Sequence, residues 1–335
     1  MKFSVGYQLF SDTDYINSIL KRKEHISEVY FSWGDIPNGR NNQLRRLDMH
    51  PWEAQQKQIF DLDLLAKENI SVNLLLNATC YGKDSQSRAF YEKIGDIIDY
   101  LSSRYLLTSV TTTSPLIAGF IHRNFNGIDV RASVNMGIGT IEGMDYVADC
   151  FDSFYLKREH NRDFSVIRKL KSWCDDNGKK LYALANSGCL NNCSAHTFHD
   201  NLVSHEQDIS VMDNAFTFEG ICGKYLKNPE NLRSLLDITG FIRPEDVELY
   251  EGLFPAMKLA TRVSSNPIGI MEAYIERKRH IGSVLDLLEP NHTKTIYPYF
   301  LENSQILSKV SNNVLIYNNI ENALIKLEED MYVNQ

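Results

Sequence analysis

Short apolar runs alternate with longer amphipathic patterns along most of this 335-residue chain. Eight of the runs have the length and the β-branched or aromatic content that are typical of strands. They lie at 3–8, 28–32, 71–77, 107–113, 128–135, 151–157, 180–186 and 256–260. Because parallel strands are joined by crossover helices, this alternation predicts a parallel sheet with helices packed on it.

The segments between the predicted strands carry the periodicity of helices. Helices are predicted at 52–68, 87–103, 164–177 and 267–288. Gly178 stands in the position expected of a helix C-cap. The pattern at 267–288 places Ile270, Tyr274, Ile281 and Leu285 on one side.

Eight strand–helix units predict an α/β fold, a closed (β/α)8 TIM-type barrel. A doubly wound open sheet is the alternative, but no glycine-rich dinucleotide loop follows the first strand. Without a recognisable linker, residues 1–302 are expected to form one barrel domain, with an insertion at 187–225 after strand seven. Residues 303–335 are expected to form a C-terminal appendage. Glu245 and Asp246, which follow Pro244, are assigned to the start of a short helix.

Composition limits the cellular compartment and the kinds of binding partner that are expected for the protein. Six cysteines in 335 residues are too few for a secreted disulfide framework. The amino terminus has no signal-peptide core, and no run reaches the roughly 20 apolar residues of a membrane span. A soluble cytoplasmic protein is therefore expected. The formal charge of −8 does not favour non-specific binding to nucleic acid, which is itself negatively charged.

Cysteines form the clearest chemical pattern. Cys189, Cys193 and Cys222 follow the seventh predicted strand, and Asn186-Ser-Gly188 before them favours a turn. Thiolates grouped in this way hold a metal or an iron–sulfur cluster. The alternative is that the three thiols bind nothing.

Three further stretches carry a resemblance to a known family. They are Arg131-Ala-Ser-Val-Asn-Met136, Phe154-Tyr-Leu-Lys-Arg-Glu159 and Phe254-Pro-Ala-Met-Lys-Leu-Ala-Thr-Arg262. With the cysteines, they resemble the collagenase-like peptidase family U32, specifically its branch of iron–sulfur hydroxylation proteins. One departure lies in the last stretch, where Ala260 and Thr261 replace the glutamate and glycine of the family's Lys-Ile-Glu-Gly-Arg.

The resemblance implies a 4Fe-4S cluster held by four cysteines. Cys189, Cys193 and Cys222 supply three ligands, and Cys80, just after strand three, is the expected fourth. His196, His199 or His205 is the alternative fourth ligand, and zinc is the alternative metal. Asn135, Arg158, Glu159 and Lys258 follow or end their strands and are expected to contact the substrate. For Arg158 and Glu159, an internal ion pair is the structural alternative.

The expected function is an iron–sulfur-dependent oxidoreductase or hydroxylase. A zinc hydrolase with Glu159 as base, and a non-catalytic binding protein with a structural metal, are the alternatives. Neither His-Glu-x-x-His nor Gly-x-Ser-x-Gly occurs, so peptidase activity is less expected. The substrate class stays open among a small molecule, a peptide and a modified RNA. Tyr297 and Tyr299 suit an interface with a protein partner or a second copy.

Overall fold

A computed structural model describes residues 1–39 and 49–327. Its centre is a closed barrel of eight parallel strands in chain order. The strands are β1 (Lys2–Gly6), β2 (Ile26–Phe31), β3 (Val72–Leu76), β4 (Leu107–Thr112), β5 (Asp129–Ala132), β6 (Ser153–Tyr155), β7 (Lys180–Leu184) and β8 (Ala256–Leu259). Strand β1 pairs with β2 and also with β8, where Lys2 lies opposite Ala256 and Val5 opposite Leu259. The predicted (β/α)8 barrel is confirmed.

Each of the eight strands ends one to three residues before the sequence pattern does. Asn135, for example, lies in a 3-10 turn at Val134–Met136, beyond the end of β5. The difference matters for the site because the polar residues at these strand ends leave the ladder and line the mouth of the barrel.

Helices surround the barrel and occupy the segment after β7. They are α1 (Asp14–Lys21), α2 (Pro51–Lys67), α3 (Arg88–Arg104), α4 (Pro115–Asn124), α5 (Ile141–Asp145), α6 (Phe164–Asp176), α7 (His196–Ser204), α8 (Glu206–Ser210), α9 (Ile221–Leu226), α10 (Pro229–Arg233), α11 (Pro267–Glu276), α12 (Thr293–Ile296) and α13 (Ile320–Ala323). Within the described residues, none of the helices is long and apolar enough to cross a membrane. Gly178 has φ of +65° after α6, as its predicted C-cap role requires.

The predicted helix at 267–288 is too long. Helix α11 ends at Glu276, and Arg277 adopts a left-handed conformation with φ of 53°. Residues 276–280 are all charged or imidazole-bearing, so they offer no apolar side chain to the barrel. Ile281 is 93% exposed, which contradicts its predicted place on the buried face.

The core has an outer and an inner part. Alternate strand residues face outward into a large apolar cluster shared with the helices, and a small cluster of Val134, Tyr155, Tyr182, Leu184 and Ala256 is separate from it. Barrels of this type usually fill their interior with branched apolar side chains. Here most inward positions are polar.

After α11 the chain forms two antiparallel strand pairs. They comprise β9 (Tyr299–Leu301) with β12 (Leu324–Lys326), and β10 (Leu307–Ser311) with β11 (Val314–Asn318). Fully buried Arg243 attaches them by donating to Asn303 Oδ1 and Ser308 Oγ, at 3.0 and 3.1 Å. Glu245 pairs with Arg243 and Asp246 accepts from Ser308 Oγ at 2.9 Å, so both acids do more than begin a helix.

Candidate functional site

Two adjoining cavities open at the carboxyl ends of the strands and share Val134 and Arg158. The substrate cavity, as we call the first, is lined by Tyr30, Asn77, Asn135, Lys258, Arg262 and Glu289, among others. The thiol cavity, as we call the second, is lined by Lys157, Glu159, Cys189, Cys193 and His196, among others. Most of the predicted site residues therefore meet at this mouth.

Lys258 is the third residue of β8, with its side chain inside the barrel and only 8% of the residue exposed. Its Nζ lies 3.9 Å from the ring centre of Tyr30 and 5.2 Å from that of Tyr155. Burial, helped by the positive charge of Arg262, lowers the pKa of Lys258 to about 7. A large fraction of this amine is consequently neutral at physiological pH, so it can act as a base or a nucleophile as well as a charge.

Glu28 is the residue that sequence reasoning missed. This carboxylate is 2% exposed and accepts hydrogen bonds from Ser4 Oγ (2.9 Å), Asn73 Nδ2 (3.2 Å), Ser109 Oγ (3.1 Å) and Arg131 Nη1 (2.7 Å). Four donors occupy its lone pairs, so the carboxylate is committed to the barrel interior. A charged residue at the start of the predicted strand run 28–32 was the available signal.

Arg158 joins the two cavities. It is 8% exposed, donates to Asn135 Oδ1 at 2.8 Å and lies with Nη1 2.6 Å from His196 Nε2. Asp200 Oδ2 lies 3.3 Å from the same His196 nitrogen. Because Arg158 can only donate, its hydrogen bond to His196 requires an unprotonated Nε2.

Glu159 has partners of its own. Its Oε1 accepts the backbone N–H of Asn192 at 3.1 Å and lies 3.7 Å from Lys157 Nζ. Burial opposes ionisation, yet backbone hydrogen bonds and the charge of Lys157 hold the pKa of Glu159 below its usual value. Glu159 and Arg158 therefore bind different groups, and the carboxylate anchors the cysteine loop.

Two of the three predicted thiols line the same cavity. Cys189 and Cys193 line the thiol cavity, and Cys222 is the second residue of α9. Burial raises the pKa of the Cys222 thiol, and negative charge on Cys189 and Cys193 raises it further. Thiolates are the ligands that iron–sulfur clusters and zinc use.

Among the described residues, the predicted ligands are not grouped as a metal site. Within residues 1–39 and 49–327, no three His, Cys, Asp or Glu side chains have the spacing of a bound metal ion. Cys80 Sγ accepts the backbone N–H of Gly82 at 3.5 Å. His199 packs on Phe218 with ring centres 5.6 Å apart, and His205 Nδ1 lies 3.9 Å from Asp208. A shared four-ligand site remains a prediction.

Tight packing fixes the start of the cysteine loop. Gly188 donates its N–H to the Glu289 carbonyl at 2.7 Å, and its own carbonyl lies 2.8 Å from Nε2 of buried His292. A Cβ at position 188 would collide with the carbonyl oxygen of Pro290. Asn186 Nδ2 donates to the Leu287 carbonyl at 2.9 Å. The turn predicted from Asn186-Ser-Gly188 is thus held by the segment after β8.

Comparison with known proteins gives a sequence relative and a solved structure of similar fold. No family model matches the chain. The chain is 26% identical over 294 residues to Uncharacterized protease MJ1657 of Methanocaldococcus jannaschii. The aligned segment covers 84% of this chain and 81% of that protein. The solved U32 peptidase Mk0906 superposes with a TM-score of 0.53 at 14% identity, covering 78% of this chain and 92% of that one. The 26% identity over most of both chains makes the archaeal protein a relative of this chain, and the superposition on the U32 peptidase shows a shared barrel fold.

Proposed function

We propose that this protein is an iron–sulfur enzyme of the U32 type that carries out a redox or hydroxylation reaction on an organic substrate at the barrel mouth. The observation that carries the proposal is the shared wall at Arg158 between a cavity lined by Lys258 and a cavity lined by Cys189 and Cys193. A substrate in one cavity would lie beside a cluster in the other.

The residues divide into two roles. Cys189, Cys193 and Cys222 would hold the cluster, whose contribution when bound would be electron transfer. Asn135 and Arg158 offer hydrogen-bond donors to the substrate, and their contact at 2.8 Å keeps both oriented. Lys258 adds an amine that can accept or release a proton near neutral pH.

Metal content is the direct test. Protein purified without oxygen and reconstituted with iron and sulfide is expected to contain about four irons and four sulfides and to absorb in the visible range. Cys193→Ser should lose most of this content. Cys150→Ser is the matched control because Cys150 is equally half-buried but precedes β6, at the opposite end of the barrel.

Other outcomes are equally informative. Stoichiometric zinc with no visible absorption would replace the redox proposal by a hydrolase, the activity that the name of the archaeal relative suggests. Protein that holds neither metal after reconstitution would overturn both. Cys80→Ser and His196→Gln, compared for iron content, would identify the fourth ligand.

A further inference from the structure

We propose that Lys258 is a nucleophile that captures an aldehyde or ketone bearing an anionic group as an imine. The inference shares with the proposed function only the position of the substrate at the barrel mouth. It requires no metal, because the reaction is carried by a side-chain amine of this chain.

The surroundings of Lys258 differ from those of a structural lysine. Buried lysines are normally paired with a carboxylate, yet within the described part of the chain no carboxylate lies within ion-pair distance of Lys258 Nζ. The candidate inside the barrel, Glu28, is already bonded to four donors, including Arg131 at 2.7 Å. The amine instead lies over the rings of Tyr30 and Tyr155 and borders the substrate cavity.

Charges around the amine explain both its reactivity and its selectivity. Arg262, Arg131 and Arg158 all act to lower the pKa of Lys258, while Glu28 acts to raise it. Arg158 and Arg262 also line the substrate cavity, where Glu289 is the acidic lining residue. Two guanidinium groups close to a neutral amine favour a ligand with a carboxylate or a phosphate beside its carbonyl carbon.

The covalent step conserves redox state. The amine nitrogen adds to the carbonyl carbon, and a C–N bond forms as the C=O bond breaks. The carbonyl oxygen leaves as water, with the two protons of the amine. No oxidant or reductant takes part until borohydride is added as a trap, which delivers hydride to the imine and makes the link permanent.

Reductive trapping with glyoxylate tests the inference on the full chain. At about pH 7 in the presence of borohydride, peptide mapping by mass spectrometry should find Lys258 modified at least about tenfold faster than Lys180. Lys180 is the matched control because it is a strand lysine on β7 with a side chain 55% exposed. Acetaldehyde, which lacks the anionic group, should show a weaker preference for Lys258.

Two results would overturn the inference. One is modification spread over exposed lysines with Lys258 untouched. The other is equal labelling of Lys258 by glyoxylate and acetaldehyde, which would show that an anionic group on the ligand does not favour the reaction. The wild-type map is decisive without a variant, and Lys258→Arg checks that the adduct is at this position. Iron content measured on the same samples separates failure here from failure of the proposed cluster.

Discussion

Arg158 Nη1 lies 2.6 Å from His196 Nε2, so a residue in the loop after β6 is bonded to the first residue of α7. Arg158 also holds Asn135, in the 3-10 turn after β5, through a bond of 2.8 Å. One guanidinium thereby connects the substrate cavity to the helix that follows the cysteine loop. A ligand that displaces either contact would therefore change the position of side chains in both cavities.

Replacing Arg158 by glutamine should loosen this connection. Loss of two charge-assisted hydrogen bonds from a buried group is expected to lower the free energy of unfolding by about 2 kcal/mol. Alkylation of Cys193 by iodoacetamide should become faster because α7 is less firmly held. Urea unfolding and mass-resolved alkylation measure the two effects. Arg88→Gln is the control, since the side chain of Arg88 is 91% exposed; identical behaviour of both variants would show that Arg158 does not hold the helix.

The second prediction concerns Lys258→Met and pH. Lys258 has a pKa of about 7 in the folded protein against 10.5 for an ordinary lysine. Between these values the unfolded chain binds more protons, so the free energy of unfolding of the wild type rises with pH. Below about pH 7 the buried amine is fully destabilising, and Lys258→Met should be more stable there by on the order of 3 kcal/mol.

This stability difference should shrink as the pH rises from about 7 toward 10. Urea unfolding of both proteins at several pH values gives the difference directly, and titrations common to both cancel. Lys180→Met serves as the exposed-lysine control and should leave the curve unchanged. Parallel curves for wild type and Lys258→Met would refute the lowered pKa.

Much of the fold could be predicted because strand runs and helices follow local periodicity. The error at 267–288 arose because the apolar periodicity of the sequence continues beyond the end of the helix. The backbone of Arg277 is left-handed, and its side chain bonds to Glu251. The charged run at 276–280 was the local signal of this stop, and the bond to Glu251 depends on a distant partner. The two small sheets after α11 were missed for a related reason, since Arg243 holds them from 60 or more positions away.

The candidate site, like the fold, could be predicted from the sequence only in part. Cys189, Cys193, Arg158 and Lys258 were placed at the mouth because every strand of a parallel barrel ends on the same side. The loop conformations beyond the strand ends decide the finer contacts, and these placed His199 and His205 on other partners. The lowered pKa of Lys258 depends on charges from several strands, which no single segment reveals.

Glu28→Gln should be strongly destabilising. It removes one of the two carboxylates that pair with Arg131, the other being Asp129 at 2.8 Å, and breaking a buried pair whose side chains are 2% and 6% exposed costs about 3 kcal/mol. Chemical denaturation measures the loss. Glu92→Gln removes the acid of an exposed pair with Arg88 and should cost no more than about 0.5 kcal/mol. If the two variants lose the same free energy, the barrel-interior network contributes nothing specific.

Gly188→Ala tests whether packing positions the cysteine loop. The added methyl group meets the Pro290 carbonyl oxygen, which is backbone and cannot swing aside, so either the loop or the 287–292 segment must move. A loss of about 1–3 kcal/mol in unfolding free energy is expected, as for overpacked cores. Reaction of Cys189 with a thiol reagent should become faster in the folded protein. Gly95→Ala in α3 is the control, because a Cβ there makes ordinary contact with Phe120 of α4 and should stabilise the helix by about 0.5–1 kcal/mol. Unchanged thiol reactivity in Gly188→Ala would mean that Glu159 and Asn192, rather than the glycine, set the position of the loop.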